Sequence, residues 1–328
     1  MTAFAGAGLR RDLLVLVALV AAGCFVPLVL NRGLVFIAGM VWINAVFGIS
    51  FNLLFGLSGV LSFGQAMFFA AGAYGAAVLT QAWGLPFFVA WPLAGIAGAV
   101  LAAIVGGVAL RRTEGVYFAI LTLSFAELLH LLVVNTGFLG KNDGLSGLAR
   151  PSALAAADDF YYFIVLACAA LIALVRWVVA TPFGRALQAV KQDPDRAEFL
   201  GIPVRLHRWS IFVFAGFTTA MAGALVAPWA QIVTPELAHW SNSTNPILYT
   251  LLGGSAYFWG PALGAVLLSA VFYLTRTLVG ISDLVTGLLL LGVVLALPGG
   301  VLGLLARWLP RRNAQPAEEA APTAEATR

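Results

Sequence analysis

Residues 160–180 read FYYFIVLACAALIALVRWVVA, and residues 181–208, which follow directly, read TPFGRALQAVKQDPDRAEFLGIPVRLHR. A helix needs about 20 apolar residues to cross about 30 Å of hydrocarbon, so the first stretch has the length of a membrane span. The second stretch is charged, and it stands out in a chain that is dominated by long apolar runs from Leu13 to Leu305. This contrast predicts a protein embedded in the bilayer, with one sizeable charged loop to which a soluble partner binds.

The composition supports the same class. Hydrophobic residues make up 61% of the 328 residues and charged residues 10%, whereas a soluble domain carries about 25% charged residues. Cys24 and Cys168 both lie inside apolar runs, so we expect buried small hydrophobic side chains and no disulfide or metal framework. We expect an all-α, polytopic helical membrane protein with about 8–10 transmembrane helices, including broken or re-entrant segments.

Eight apolar stretches have the length of a membrane span: residues 13–30, 34–55, 62–82, 87–110, 115–135, 160–180, 209–231 and 283–306. A further apolar region, 246–278, is too long for one span and is interrupted by Gly253-Gly254 and by Gly260-Pro261. It predicts a short element that enters the membrane and turns back, followed by a longer helix. Residues 1–309 would then form one transmembrane domain, with 181–208 as its cytoplasmic loop.

Both ends of the chain are assigned to the cytoplasm. Ala-Ala-Gly-Cys at 21–24 faintly resembles a lipoprotein cleavage site, but apolar sequence continues to Leu30, so we expect an uncleaved first span. Residues 310–328 are rich in Ala, Glu, Pro and Thr, a composition that buries too little surface to fold. We expect them to be a disordered cytoplasmic tail.

The net charge of +4 is compatible with nucleic-acid binding or with basic cytoplasmic loops of a membrane protein. With the N-terminus and 181–208 inside and 246–278 broken, 14 of the 18 Lys and Arg residues lie in the cytoplasm. The exceptions are Arg32, Lys141, Arg150 and Arg276. Membrane proteins show a bias of this sign, which favours the second interpretation. Residues 136–159 and 232–245 are then the longest external segments.

The sequence lacks the common catalytic motifs. It has neither a phosphate-binding G-x-x-x-x-G-K-[ST] loop nor a G-x-S-x-G nucleophile turn. His130, His207 and His239 are too scattered in sequence to suggest a metal site. We therefore expect a non-catalytic subunit that binds no metal and no cofactor.

The charged loop predicts two short helices. The first, from Gly184 to Gln192, would present Arg185, Gln188 and Lys191. Asp193 stands before a proline, a good helix start, and Gly201 can supply the left-handed residue that ends the second helix. Two amphipathic helices below the membrane indicate a docking surface, and the alternative is a solvated loop without a partner.

Two stretches, 55–67 and 252–264, are predicted to be broken helices because each combines glycines, a serine and an aromatic-Gly-x-Ala unit. Non-helical backbone at membrane depth survives only when it is buried in protein or lines a cavity. Ser58, Ser62 and Gln65 add polar groups to the first stretch, which favours a transport pathway. For the second stretch, a pathway and close helix packing through the glycines are equally compatible.

Glu127 is the only acid well inside an apolar stretch, and His130 follows one helical turn later. A charged group in a span is costly when unpaired, so it is a functional candidate by default. Two interpretations stay open: a proton relay, or a protonated or paired structural residue near the outer helix end.

Residues 51–74, 115–127, 181–187 with 197–202, and 252–264 together resemble the permease subunits of branched-chain amino acid ABC importers. Residues 115–127 and 142–147 favour the LivM-like branch. The resemblance implies a bacterial inner-membrane importer with a second, LivH-like permease, two cytoplasmic ATPases that bind ATP and Mg²⁺, and a periplasmic substrate-binding protein. It implies branched-chain or related amino acids as substrates, although similar permeases serve urea or short amides.

The resemblance also implies where the functional residues lie. The loop that couples to an ATPase would contain Gly184, Arg185, Ala186, Leu187, Asp193, Arg196, Ala197, Glu198, Gly201 and Ile202. The candidates for the translocation pathway are Asn52, Ser58, Ser62, Gln65, Glu127, Gly253, Gly254 and Ser255. The Glu-Ala-Ala element of many ABC permeases is not intact, and Arg196-Ala197-Glu198 stands nearby.

Two other classes of protein remain as alternatives. A proton-coupled secondary transporter would use Glu127 as its relay. A membrane-embedded lipid-modifying enzyme would need convergent catalytic groups, which the sequence does not supply.

Overall fold

The computed structural model describes residues 8–112, 115–275, 284–285, 287–288, 291–292 and 299–308. The helices in this part of the chain are α1 Leu9–Val29, α2 Arg32–Asn52, α3 Gln65–Gln81, α4 Phe87–Arg112, α5 Val116–Asn135, α6 Ala157–Ala180, α7 Pro182–Gln192, α8 Pro194–Phe199, α9 Val204–Ala230, α10 Thr244–Gly253, α11 Gly260–Thr275 and α12 Gly300–Trp308. A π-helical turn, Leu53–Ser58, extends α2. The expected tail, 310–328, and most of the expected span 283–306 lie outside the described residues.

The all-α membrane fold is confirmed. Within the described ranges, six helices are long and apolar enough to cross a membrane: Leu9–Val29, Arg32–Ser58, Phe87–Arg111, Val116–Asn135, Ala157–Ala180 and Val204–Ala230. The helices α3 and α11 are apolar but shorter, with 17 and 16 residues. They are the helices that follow the two predicted breaks.

Two predicted boundaries were wrong. The expected span 62–82 begins as a helix only at Gln65, because the Phe63 amide donates to Thr122 Oγ1 (3.1 Å) instead of to a helical carbonyl. The helix of the expected span 209–231 begins already at Val204, so residues 204–208 of the predicted loop are the first residues of α9. Val204 is buried against the loop helices, and this contact favours an earlier helix start.

The centre of the bundle is α9, which packs against α3 and α4. In its most apolar window 78% of the residues are buried, against 17% for α1, so α9 is the core helix and α1 is peripheral. Small residues allow the backbones to approach: a Cβ on Gly72 would collide with the Ala220 carbonyl, and one on Gly223 with that of Phe69. Such contacts are expected in lipid, where van der Waals packing rather than the hydrophobic effect drives helix association.

The segments 136–159 and 232–245, which the sequence predicted to be external, contact each other. Strand β1, Leu145–Ser146, pairs antiparallel with β2, Ile232–Val233, with Leu145 opposite Val233. Short 3₁₀ turns occupy Gly137–Leu139, Lys141–Asp143, Ser152–Leu154, Pro235–Leu237 and Trp240–Ser243. The two segments therefore form one cap over this end of the bundle.

Candidate functional site

The first predicted break is confirmed. The π-helical turn ends at Ser58, whose Oγ donates to the Leu54 carbonyl (2.8 Å), and Gly59 follows in the left-handed conformation (φ 74°). The chain then runs without helix to Gln65, where α3 begins. A helix is thus interrupted in the middle of the bundle, where only protein can surround it.

The four polar pathway candidates of this region are buried: Asn52, Ser58, Ser62 and Gln65 are each at most 1% exposed. Gln65 Oε1 accepts from Thr219 Oγ1 (3.1 Å), and Asn52 Nδ2 donates to the Tyr257 carbonyl (3.3 Å). Among the described residues, Asn52 Oδ1 and Gln65 Nε2 have no hydrogen-bond partner. Such a group is unfavourable by about 1–3 kcal/mol, so the core contains one free acceptor and one free donor.

The second break is also confirmed: α10 ends at Gly253 and α11 begins at Gly260. Gly254 has φ 106°, a backbone conformation that favours glycine. A Cβ on Gly253 would collide with the Gly260 carbonyl, and one on Gly264 with that of Tyr249. Close packing therefore accounts for these glycines. The turn between α10 and α11 also contacts the first break.

That contact joins the two breaks. The Tyr257 carbonyl in the turn accepts from Asn52, and a Cβ on Gly56 would lie only 2.7 Å from the Ser255 carbonyl oxygen. Of the pathway candidates, Asn52 and Ser255 thus both lie where the two breaks contact each other. Ser255 is half-buried. A displacement of either break has to move the other.

A buried ion pair anchors the turn between α10 and α11. Arg176 Nε donates to Asp12 Oδ2 (2.6 Å), and Trp259 Nε1 donates to Asp12 Oδ1 (3.2 Å). Both charged side chains are about 5–6% exposed, and the Arg176 guanidinium lies 5.6 Å from the centre of the Phe258 ring. The sequence-based prediction missed this anchor, although one acid and one base at the same end of two apolar stretches was a usable signal.

The two short helices predicted within residues 181–208 are confirmed as α7 and α8. Asp193 Oδ1 accepts from the Arg196 amide (3.0 Å), and Gly201 takes the left-handed conformation (φ 83°). Their inner faces carry buried apolar residues and a glycine without room for a side chain. These residues are Gly184, Leu187, Val190 and Ala197, with Ile202 packed beside them and Ala186 half-buried.

Lys191 connects this loop to the first break. Its Nζ donates to the Gly56 carbonyl (2.7 Å), and its stem lies against Gly59. Desolvation lowers the pKa of Lys191 from its ordinary value. The sequence predicted that Lys191 is presented to a partner. The residue is exposed, and its ammonium group also donates to the broken helix.

The outer side of the loop is exposed. Arg185, Arg196 and Glu198 are exposed as predicted, and Arg196 makes a solvent-exposed ion pair with Asp193 (3.3 Å). Phe199 and Leu200 are 92% and 76% exposed. The sequence-based prediction did not single them out, yet two adjacent exposed apolar side chains among charges are typical of a contact surface.

One cavity borders the first break, and a second borders the segment that contacts the start of α3. One of about 320 Å³ is lined by residues 59–61 together with Phe118, Arg205 and Arg208. The other, about 870 Å³, is lined by polar residues that include Asn242 and Asn245. Ser243 stands beside Asn242, and its Oγ accepts from the Ala66 amide (2.9 Å) at the start of α3. The first cavity thus borders the start of the non-helical stretch 59–64, and the second borders the segment that contacts its end.

Glu127 does not join the buried polar residues of the break. It forms a separate cluster with His130, one turn later on α5, and with His239 from the external segment. The imidazole centres of the two histidines are 5.0 Å apart. The expectation that the histidines are scattered was therefore wrong for two of them, whereas His207 lies elsewhere, stacked on Phe183.

Two broken helices that contact each other inside a helical membrane protein are typical of transport proteins. Residues 33–297 match the family model described as branched-chain amino acid transport system / permease component, and the chain belongs to that family.

The relatives agree. The chain is 28% identical to the high-affinity branched-chain amino acid transport system permease protein LivM of Escherichia coli strain K12, over 92% of this chain and 78% of the relative. It is 29% identical to the protein of the same name from Salmonella typhimurium strain LT2, over 96% and 80%. No solved structure matches the chain significantly.

Proposed function

We propose that this chain is a transmembrane subunit of an ABC importer and forms the path for branched-chain or related amino acids, with ATP hydrolysed in partner subunits. The observation that carries the proposal is the two-sided loop α7–α8. Its inner side holds the broken helix through the Lys191–Gly56 contact, and its outer side exposes Phe199 and Leu200. A movement of a partner docked outside is thereby passed to the break inside.

The mechanism follows from these contacts. Closure of the ATPase pair displaces α7 and α8 together, because Val190 and Ala197 pack the two helices into one unit. Lys191 carries the displacement to Gly56, and the contact between the breaks carries it to the turn that precedes α11. The barrier at residues 62–65 then opens toward one cavity at a time.

The polar core suits a zwitterion. Asn52 Oδ1 is a free acceptor for an ammonium group, and Gln65 Nε2 is a free donor for a carboxylate. The relatives' names favour branched-chain amino acids over urea or short amides.

The proposal includes the rest of the assembly. The partners are a second, LivH-like permease, two cytoplasmic ATPases that bind ATP and Mg²⁺, and a periplasmic binding protein at the external cap. The assembly lies in the bacterial inner membrane, with both termini of this chain in the cytoplasm, as the distribution of Lys and Arg favours. This chain itself catalyses no reaction.

The test neutralises the outer side of the loop by replacing Arg185, Arg196 and Glu198 together with Gln. We expect reduced uptake and reduced co-purification of the ATPase subunits, with membrane insertion intact because all three side chains are exposed. A matched control neutralises the exposed external pair Lys141 and Asp143, and it should leave co-purification unchanged. Normal uptake and normal ATPase binding in the loop variant would contradict the assignment.

The energy source for uptake distinguishes the proposed importer from a proton-coupled transporter that uses Glu127. Uptake should stop when ATP is depleted while the proton gradient is maintained. Continued uptake under these conditions, lost on Glu127→Gln, would favour the secondary transporter instead.

A further inference from the structure

The cluster of Glu127, His130 and His239 joins a membrane helix to the external cap. The ligand atoms that these side chains offer all lie within 4.8 Å of one another. Glu127 and His130 are three residues apart on α5, so both project from the same helix face. His239 reaches them from the turn between the 3₁₀ segments Pro235–Leu237 and Trp240–Ser243.

Both imidazoles are oriented through one nitrogen. His130 Nδ1 lies 3.1 Å from the Pro235 carbonyl oxygen, to which it can only donate, so Nε2 carries the free lone pair. His239 Nδ1 lies 2.7 Å from Ser241 Oγ and also accepts from the Ser241 amide (3.4 Å), so these contacts orient the ring. The ring binds a metal through Nε2 when its proton lies on Nδ1, where Ser241 Oγ can accept it. Metal-binding histidines almost always have such an oxygen partner on the second nitrogen, which fixes ring and tautomer.

The carboxylate supplies an independent observation. Glu127 Oε2 is buried, and it has no hydrogen-bond partner among the described residues. A buried carboxylate oxygen without a partner is unfavourable unless a cation or donor approaches it. The same carboxylate has an oxygen within 4.8 Å of a ring nitrogen of each histidine.

We propose that Glu127, His130 and His239 bind one divalent transition-metal ion, with Zn²⁺ as the best match. Two imidazoles and one carboxylate are a ligand set that Zn²⁺ prefers, and Ca²⁺ or Mg²⁺ would favour oxygen ligands only. Bonds of about 2.0–2.1 Å place tetrahedral ligands about 3.3 Å apart, so side-chain rotations of about 1–2 Å complete the site. The adjoining cavity leaves the fourth position to water.

The bound ion would control the external cavity. It would fix the segment that carries His239 to α5, and Ser243 in the same segment holds the first residues of α3 through Ala66. External Zn²⁺ is therefore expected to hold the outer cavity in one state and to slow transport. This inference stands on the cluster alone and does not require the proposed importer function.

The test measures Zn²⁺ binding to the full-length chain, purified in detergent and stripped with a chelator, by calorimetric titration. We expect one Zn²⁺ per chain, and His239→Gln should weaken binding more than the roughly 10–100-fold seen when a second-shell partner is lost. Ser241→Ala, which keeps all three ligands, should weaken binding by about 10–100-fold. His207→Gln is the matched control and should bind like the parent chain.

Two results would overturn the site: the parent chain binds Zn²⁺ no more tightly than His239→Gln, or His207→Gln lowers the affinity as much as His239→Gln does. The ratio of uptake with and without external Zn²⁺ gives a second measurement, and it should fall below one for the parent chain and stay near one for Ser241→Ala at limiting Zn²⁺. Equal inhibition of both proteins would refute control by this site. Because binding is measured on the isolated chain, its failure is distinguishable from failure of the importer assignment.

Discussion

Replacing Lys191 by Met tests whether the cytoplasmic loop drives the broken helix. Methionine keeps an unbranched apolar stem against Gly59 but removes the ammonium group that donates to the Gly56 carbonyl (2.7 Å). Because Lys191 is exposed, water screens its charge, and this hydrogen bond should contribute about 1.5 kcal/mol, the lower end of the range for charged partners. Since about 1.4 kcal/mol is a factor of ten, the contact between the loop and the break should weaken roughly 10-fold.

The assay is reconstitution of the complete transporter in proteoliposomes, with substrate uptake and ATP hydrolysis measured on the same sample. Lys191→Met should lower the amount of substrate carried per ATP, because the ATPases still close while the break follows less often. ATPase subunits should still bind, since the exposed outer side of the loop is unchanged. Lys191→Arg retains a cationic donor and should recover part of the coupling.

The matched control is Lys141→Met, the same change at the other lysine, which is exposed in the external cap. It should leave the ratio of transport to hydrolysis unchanged. If Lys191→Met also shows the parent ratio, with normal expression, then the Lys191–Gly56 contact does not transmit force and the mechanism is refuted.

Three further changes address the anchor, the docking surface and the core. Asp12→Ala removes the carboxylate that pairs with the buried Arg176, so the free energy of unfolding in detergent should fall by about 3–5 kcal/mol. A fall of less than about 1 kcal/mol would show that the pair is not buried in the membrane-embedded protein. Phe199→Ala should weaken ATPase binding in a pull-down without changing the melting temperature, because the ring is 92% exposed, and an unchanged pull-down would exclude it from the docking surface. Gly72→Ala should reduce the yield of folded protein in size-exclusion chromatography, since its Cβ would collide with the Ala220 carbonyl. Gly107→Ala has room for its Cβ and should fold normally. Equal yields would contradict the close packing of α3 on α9.

The local features of this chain were predictable from its sequence. The start of α8 at Asp193 and its end at Gly201 follow from capping chemistry, which involves neighbouring residues only. Gly59 and Gly254 marked the two breaks because a left-handed backbone favours glycine wherever the chain is placed. The early start of α9 was not predictable, because Val204 packs against Val190 and Ala197 in a tertiary contact that no local pattern encodes.

The direction of the polar side chains could not be predicted. Lys191 is charged and lies in an amphipathic helix, so its pattern favours solvent, and only the position of α7 under the first break gives it Gly56 as a partner. Asp12 and Arg176 are 164 residues apart, and their pairing depends on how α1 packs against α6.

The sequence by itself determined a helical membrane protein with two broken helices and a two-helix cytoplasmic loop, because apolar length, capping and glycine conformations are properties of short segments. Tertiary structure alone decided that the breaks touch, that the loop holds one of them, and that Glu127 and His130 meet His239. These contacts depend on helix distances and rotations, which are set by packing at residues such as Gly72 and Gly223. Packing of this kind is collective, so the pattern of any single segment does not contain it.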